Sequence, residues 1–248
     1  MFKKITALFL SLVFICSACA ISGAAEEGTS GTYSHYYKVF NVVGGTWEEA
    51  QAFCQSVGGY LVTITSEDEQ DGVKELLKER GGLNCYWAGG RLVDGHWTWV
   101  TGEAFEFTNW AVGEPNNQDG IEGYMELFGK NYRGGLGNKR TGAWNDASNN
   151  GADYAADFYD IENTGFICEW DHEPYYGVQY GDINLDGLVN SLDAAYILKH
   201  DADIISLDLG QRIRGDVSID GVINSLDAAN ILKHDAGLMP VFRAETEE

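Results

Sequence analysis

The feature that most constrains this chain is a segment that occurs twice near its C-terminus. Residues 181–193 and 215–227 lie 34 positions apart and share most of their polar residues, a central glycine and the run Asn-Ser-Leu-Asp that ends each copy. Side-chain oxygens stand at loop positions 1, 3, 5, 9 and 12, glycine at 6, and position 7 offers a backbone carbonyl, which is the spacing of an EF-hand calcium loop. The sequence therefore predicts two similar cation-binding loops.

The predicted ligands of the first loop are Asp182, Asn184, Asp186, Leu188, Asn190 and Asp193, and those of the second are Asp216, Ser218, Asp220, Val222, Asn224 and Asp227. Ser218 is a poorer ligand than Asn184, so we expect weaker binding in the second loop. Each loop runs directly into a helix, predicted at 194–200 and 228–234, without a strong helix entering it. Because such a short tryptophan-free segment buries little core, bound Ca²⁺ should supply much of its folding energy.

A second set of oxygen donors lies in the middle of the chain. Glu114 and Asn116 flank a proline, Glu122 follows, and Asn145 and Asp146 stand side by side. Five donors in one short span predict one Ca²⁺ site, and since Ca²⁺ takes six to eight oxygens, coordination positions stay open for a sugar diol.

The chain is strongly acidic, with 38 Asp and Glu against 16 Lys and Arg and a net charge of −22. This charge argues against binding a nucleic-acid backbone. Two interpretations of this excess of acids stay open: they form a well-solvated secreted surface, or many of them are Ca²⁺ ligands.

Residues 1–25 have the parts of a signal peptide: Lys3 and Lys4, then an apolar run, then small residues. We expect secretion, and the rest of the sequence predicts no transmembrane segment. Removal of this leader would leave Cys54, Cys85 and Cys168. We interpret Cys85 as a small buried hydrophobe, with an intermolecular disulfide as the alternative.

Local signals outline an α+β fold in the tryptophan-rich part. Thr46 is expected to cap a helix beginning at Trp47, and Ser66 one that extends to Lys78. Strands are predicted where Tyr60, Val62 and Ile64 alternate, and at 86–88, 96–100 and 166–170. We divide the chain into a signal peptide (1–25), a first domain (33–171), a linker (172–179), a small all-α domain (180–240) and an acidic, frayed tail (241–248).

The first domain resembles a C-type lectin-like domain, a fold of two helices, short antiparallel strands and long Ca²⁺-binding loops. The resemblance rests on the ordered motifs Trp47-x-x-Ala50-x-x-x-Cys54, Gly58-Gly59-Tyr60-Leu61, Trp97-x-Trp99, Trp110, Glu114-Pro115-Asn116, Trp144-Asn145-Asp146 and Cys168-Glu169. It implies Ca²⁺ and sugar ligation by Glu114, Asn116, Glu122, Asn145 and Asp146. The Glu-Pro-Asn order goes with equatorial-diol sugars such as mannose or glucose, and the matching proline bond is cis.

The resemblance also bears on cross-links and on the loops around the site. We expect a disulfide between Cys54 and Cys168. Tyr124 and the stretch after Asp146 lack the family's usual second disulfide, so the loops should rely more on metal for their order. Four bases in 129–143, namely Lys130, Arg133, Lys139 and Arg140, suggest a preference for acidic glycans, with a solvated loop as the alternative.

The duplicated segment resembles a dockerin, which binds a cohesin on a cellulosome-type scaffold. The resemblance implies partner contacts from two matching sets of residues, either of which could dock: Ser191, Leu192, Leu198 and Lys199, or Ser225, Leu226, Leu232 and Lys233. The alternatives are that Leu198 and Leu232 are core residues and that the lysines form a solvated face.

The leading functional hypothesis is a secreted, non-catalytic carbohydrate-binding module with about one Ca²⁺ in the first domain and two in the second. A cohesin-bearing scaffold, free or at a cell surface, would hold it for polysaccharide capture. The alternative is a protein-binding adhesin whose Ca²⁺ merely stiffens loops. Catalysis is disfavoured because the sequence shows no dedicated acid–base pair and no nucleophile motif.

Overall fold

The structure is a computed structural model that describes residues 19–21, 35–132, 140–149, 164–172 and 178–246, with only the backbone given for 19–21 and for 246. The predicted signal peptide and the linker lie largely outside the described residues. The strands are β1 (Cys19–Ile21), β2 (His35–Phe40), β3 (Tyr60–Leu61), β4 (Cys85–Val93), β5 (His96–Trp99), β6 (Tyr124–Phe128), β7 (Trp144–Ala147) and β8 (Thr164–Trp170). The helices are α1 (Trp47–Ser56), α2 (Glu67–Arg80), α3 (Ser191–Asp201), α4 (Leu209–Gly215), α5 (Ser225–Asp235) and α6 (Arg243–Thr246).

Both predicted helix starts of the first domain are confirmed. The Thr46 hydroxyl accepts a hydrogen bond from the Glu49 N–H, and the Glu49 carboxylate accepts one from the Thr46 N–H, which forms a capping box. The Ser66 hydroxyl accepts from the Glu69 N–H and begins α2.

The sheet is mixed, in the order β1-β2-β8-β4-β6-β7, with β3 added to β8 and β5 to β4. The expectation of antiparallel strands is wrong for one pair, since β4 and β8 run parallel. A parallel pair needs a crossover connection, and the long stretch between β4 and β8 provides it. The predicted alternation at 60–64 is also wrong: Leu61 to Ile64 are all buried.

The central strands bury both of their faces. Tyr86 and Ala88 of β4 pack in the core on the side of α2, whereas Trp87 between them packs with α1 on the other side. Cys54 of α1 and Cys168 of β8 lie in that second core, fully buried as neighbouring thiols. The Cys54–Cys168 disulfide itself stays a prediction.

The second domain has its own apolar core, in which α3 packs against α5 through Ala194, Ile197, Ala228 and Ile231. The expectation of a frayed tail is wrong for its first part, because Phe242 and Ala244 are 1% and 0% exposed in this core. The absence of an entering helix is wrong for the second loop, since α4 ends at the residue before Asp216. Among the described residues, no helix is long and apolar enough to cross a membrane.

A buried polar network joins the last strand to β2 and to the segment around β3. Glu169 is 0% exposed and accepts hydrogen bonds from the Thr63 N–H (2.8 Å), from the Tyr60 hydroxyl (3.2 Å) and from His35. The hydrogen bond to Glu169 raises the pKa of His35 to about 9, although partial burial of the imidazole acts in the opposite direction. Although His35, Glu69 and Glu169 lie close enough to share an ion, protein donors already occupy both carboxylates, so we assign the cluster a structural role.

The raised pKa of His35 makes part of the stability pH-dependent. The contribution is present below the unfolded pKa of about 6.5 and is lost as the pH rises through about 9. Replacing His35 by Gln should lower the thermal midpoint by about 2–4 °C at pH 6, and the difference from wild type should vanish by pH 10. Thermal denaturation across this range measures the effect, with the exposed His96→Gln variant as control. A deficit that does not change with pH would contradict the assignment.

Candidate functional site

A buried aromatic cluster fixes the base of the candidate site. Trp144 is 0% exposed, and Trp99, Phe105, Phe107 and Trp110 meet its ring edge-on with centroids 5.5–5.9 Å away. The indole N–H of Trp144 also donates to the Gln70 side chain at 2.7 Å. The packing of Trp144 therefore fixes the backbone of β7 at Asn145 and Asp146, the two residues that follow it.

Asp146 fastens the Glu-Pro-Asn turn to the sheet. Its two carboxylate oxygens accept from the backbone N–H groups of Asn116 (2.9 Å) and Asn117 (2.7 Å). The Glu114–Pro115 bond is cis, as the resemblance implied. Two segments that are far apart in the sequence are thereby held at one edge of the domain.

Three carboxylates face each other at this edge. Burial, together with the charges of Asp146 and Glu114, raises the pKa of Glu122 to about 7. Burial also raises the pKa of Glu114, followed by the charge of Asp146. Such a cluster of half-buried carboxylates has the chemistry of a divalent cation site.

The structure thus brings together the five residues that the sequence predicts, while their role as ligands stays a prediction. The two carboxamide NH₂ groups are already engaged within the protein: Asn116 donates to Glu114 at 2.5 Å, and Asn145 donates to Glu126 at 3.0 Å and to the Asp146 carbonyl at 2.8 Å. The atom that Asn145 could offer to a cation is its side-chain oxygen. Donation from these amides to a sugar requires exchange of the hydrogen bonds.

Glu126 is a site residue that the sequence analysis missed. It lies opposite Asn145 in the β6–β7 pair, is 2% exposed, and accepts from both Asn145 and the Cys85 thiol. Burial raises its pKa to about 7. The available signal was a lone acid in the apolar run Tyr124 to Phe128. Cys85 is buried, in agreement with its interpretation as a core residue.

Two of the four bases near the site are described. Lys130 donates to the carbonyl of Lys78 at 3.0 Å and is thus held at α2. The charge of Arg140 lowers the pKa of Glu114, which places this base beside the site. Arg133 and Lys139 lie outside the described residues.

The two loops of the second domain have matching geometry. Asp182 accepts from the N–H groups of Asp186 and Gly187, and Asp216 accepts from those of Asp220 and Gly221 at 3.0–3.2 Å. At position 12, Asp193 and Asp227 are 0% exposed and accept further loop N–H groups.

In the second loop, oxygens of Asp216, Asp220 and Asp227 lie within 4.8 Å of one another. Burial raises the pKa of both Asp216 and Asp227. These donors fit a bound Ca²⁺ in chemistry and in number.

Every predicted partner-binding residue lies on the surface. Leu192 and Leu198 of the first repeat are 51% and 45% exposed, and Leu226 and Leu232 of the second are 48% and 43% exposed. Ser191, Lys199, Ser225 and Lys233 are exposed as well. The alternative that Leu198 and Leu232 are core residues is therefore wrong.

Comparison with known proteins agrees with this geometry. The family described as Lectin C-type domain matches residues 43–156, and the family described as Dockerin type I domain matches residues 180–234. The C-type lectin lectoxin-Lio1 of Erythrolamprus poecilogyrus is 32% identical over 117 residues, which is 44% of this chain and 71% of that protein. The chain belongs to the C-type lectin family. The resemblance to a C-type lectin domain followed by a dockerin is confirmed.

Further relatives match the lectin domain. L-selectin of Bos taurus is 38% identical over 125 residues, which is 49% of this chain but only 30% of that protein's length. A solved cow CD23 carbohydrate-recognition domain, in the presence of GlcNAc2Man3 oligosaccharide, is 24% identical. It covers 60% of this chain and 96% of that chain with a TM-score of 0.42. C-type lectin and dockerin domains are generally calcium-binding and typically non-catalytic.

The contact between Glu126 and Asn145 generates a prediction. Glu126→Leu removes the acceptor that orients the Asn145 amide and should weaken Ca²⁺ binding by the lectin domain about 10–100-fold. Glu126→Gln keeps an acceptor oxygen of the same reach and should retain most of the affinity. Ca²⁺ titrations followed by tryptophan fluorescence report on this domain, because all seven Trp lie between Trp47 and Trp170. Equal affinity in the Leu variant and wild type would contradict the role.

Proposed function

We propose that this protein is a secreted, non-catalytic carbohydrate-binding module that binds sugar through Ca²⁺. The observation that carries the proposal is the convergence of Glu114, Glu122 and Asp146 with two carboxamides at one open edge of a lectin domain. Carboxylate oxygens bind Ca²⁺ and also accept from sugar hydroxyls, and the open coordination positions suit a vicinal diol.

The proposed ligand is a sugar with an equatorial diol of the mannose or glucose type. This assignment rests on the order Glu-Pro-Asn at 114–116, which goes with such sugars in the C-type lectin-like domains that this part of the chain resembles. Five residues would hold the ion and the sugar together: Glu114, Asn116, Glu122, Asn145 and Asp146. One Ca²⁺ would lie here and one in each dockerin loop.

We propose that the dockerin attaches the lectin domain to a cohesin on an extracellular, cellulosome-type scaffold. The support is the exposure of both matching leucine pairs on α3 and α5. Attachment would bring the sugar site to polysaccharides that the assembly captures.

A glycan array tests the sugar site. Wild type should bind mannose- or glucose-type glycans with Ca²⁺ and lose them with EDTA. The swap Glu114→Gln/Asn116→Asp exchanges the positions of the carboxylate and the carboxamide. In the family that the domain resembles, this reversed order goes with galactose, so binding should shift toward galactose-type glycans. An unchanged profile would contradict the site assignment. Binding to a protein that free diols do not displace would instead support an adhesin.

The duplicated docking surface generates a second prediction. Leu198→Asp or Leu232→Asp alone should leave binding to a panel of cohesin domains within about twofold of wild type, because the other repeat can still dock. The double variant places a desolvated charge at both surfaces and should lose binding by about 100-fold or more. Calorimetric titration with Leu238→Asp, another exposed leucine, provides the matched control. Full loss in either single variant would contradict two equivalent surfaces.

A further inference from the structure

Helix α4 belongs to the dockerin in sequence but to the lectin domain in packing. Leu209 and Ile213, four residues apart on one face, are 2% and 1% exposed. They lie in the same apolar cluster as Trp47 and Phe53 of α1, and not in the cluster that joins α3 to α5. The dockerin therefore supplies part of the lectin core.

Gly44 and Gly45 of the lectin domain leave room for helix α4. A Cβ at Gly45 would come within 2.7 Å of the Leu209 side chain, and one at Gly44 within 3.0 Å of the Arg212 guanidinium. Gly44 also has a φ of +77°, which favours glycine. The Gly-Gly pair allows the backbone before α1 to lie directly on α4.

Two arginines of α4 add a hydrogen-bonded contact and a cation–π contact with the lectin domain. The Arg212 guanidinium donates to the carbonyls of Val43 at 2.9 Å and Gly44 at 3.0 Å. Arg214 lies over the Phe53 ring, 5.9 Å from its centroid. A separate contact joins the Lys38 ammonium of β2 to the Tyr180 hydroxyl at 3.3 Å.

The helix also leads directly into the second Ca²⁺ loop. Its last turn continues to Asp216, whose N–H donates to the Arg212 carbonyl at 3.0 Å. Leu198 and Leu232 on α3 and α5 stay exposed despite this contact. The interface with the lectin domain and the predicted docking surfaces thus use different parts of the dockerin.

We propose that α4 makes the lectin domain and the dockerin one cooperative folding unit. Whatever stabilises the dockerin, whether Ca²⁺ in its second loop or a scaffold partner on its surface, then also stabilises the sugar-binding domain. The sugar site is carried at a fixed orientation relative to the docking surfaces. Neither sugar binding nor cohesin binding needs to be correct for this coupling to exist.

A double-mutant cycle in the full chain with Ca²⁺ tests the coupling. Ile231→Ala truncates a 0% exposed residue of the dockerin core, while tryptophan fluorescence reports only on the lectin domain. In the wild-type background this variant should lower the fluorescence-monitored midpoint by about 5 °C or more. In an Arg212→Ala/Ile213→Ala background the same change should shift it by less than about 1 °C. The exposed neighbour Leu232→Ala should have no effect in either background.

Calorimetry on the same variants completes the test. Wild type should unfold in one transition, and the Arg212→Ala/Ile213→Ala protein in two. If Ile231→Ala fails to fold its dockerin, the smaller truncation Ile231→Val provides the same comparison. In the wild-type background, Ile231→Ala could lower the midpoint of the dockerin transition and leave the fluorescence-monitored midpoint of the lectin domain unchanged. That outcome would overturn the proposal.

Discussion

Carboxylates held close together in partly buried positions are the constraint on which both candidate cation sites depend. Glu114, Glu122 and Asp146 face one another in the lectin domain, and three aspartates of the second dockerin loop lie within 4.8 Å. Burial raises the pKa of Glu122 and of Glu114, and the repulsion of neighbouring carboxylates adds to the rise. A divalent cation is the simplest neutralising partner, so the proposed sugar recognition and the proposed anchoring would share one requirement.

Backbone hydrogen bonds and aromatic packing hold the carboxylates of the lectin domain in place. Asp146 accepts two N–H groups of the turn that carries Glu114, and Trp144 beside it is fixed among four aromatic rings. Glu126 and Cys85 add a buried support beneath Asn145. These contacts hold in place the side chains that we propose as cation ligands.

The sequence predicted what depends on local chemistry. The starts of α1 and α2 follow from Thr46 and Ser66, because a capping residue acts on the next three positions. The loop ligands follow from fixed spacing. The parallel pairing of β4 with β8 and the contact of Glu126 with Asn145 depend on strand neighbours that are distant in the chain. For Glu126 the local pattern shows only a lone acid in an apolar run, not its partner. Helix α4 was missed because it is only seven residues long and its apolar partners lie in the other domain.

Proton release on Ca²⁺ binding tests the central claim most directly. Since the pKa of Glu122 is raised to about 7, part of this carboxyl is protonated at pH 7, and a cation that it binds must displace that proton. In a pH-stat titration at pH 7, wild type should release more protons per molecule than Glu122→Gln, and this difference should disappear at pH 9. Equal release from both proteins at pH 7 would contradict a cation site that Glu122 shares with Glu114 and Asp146.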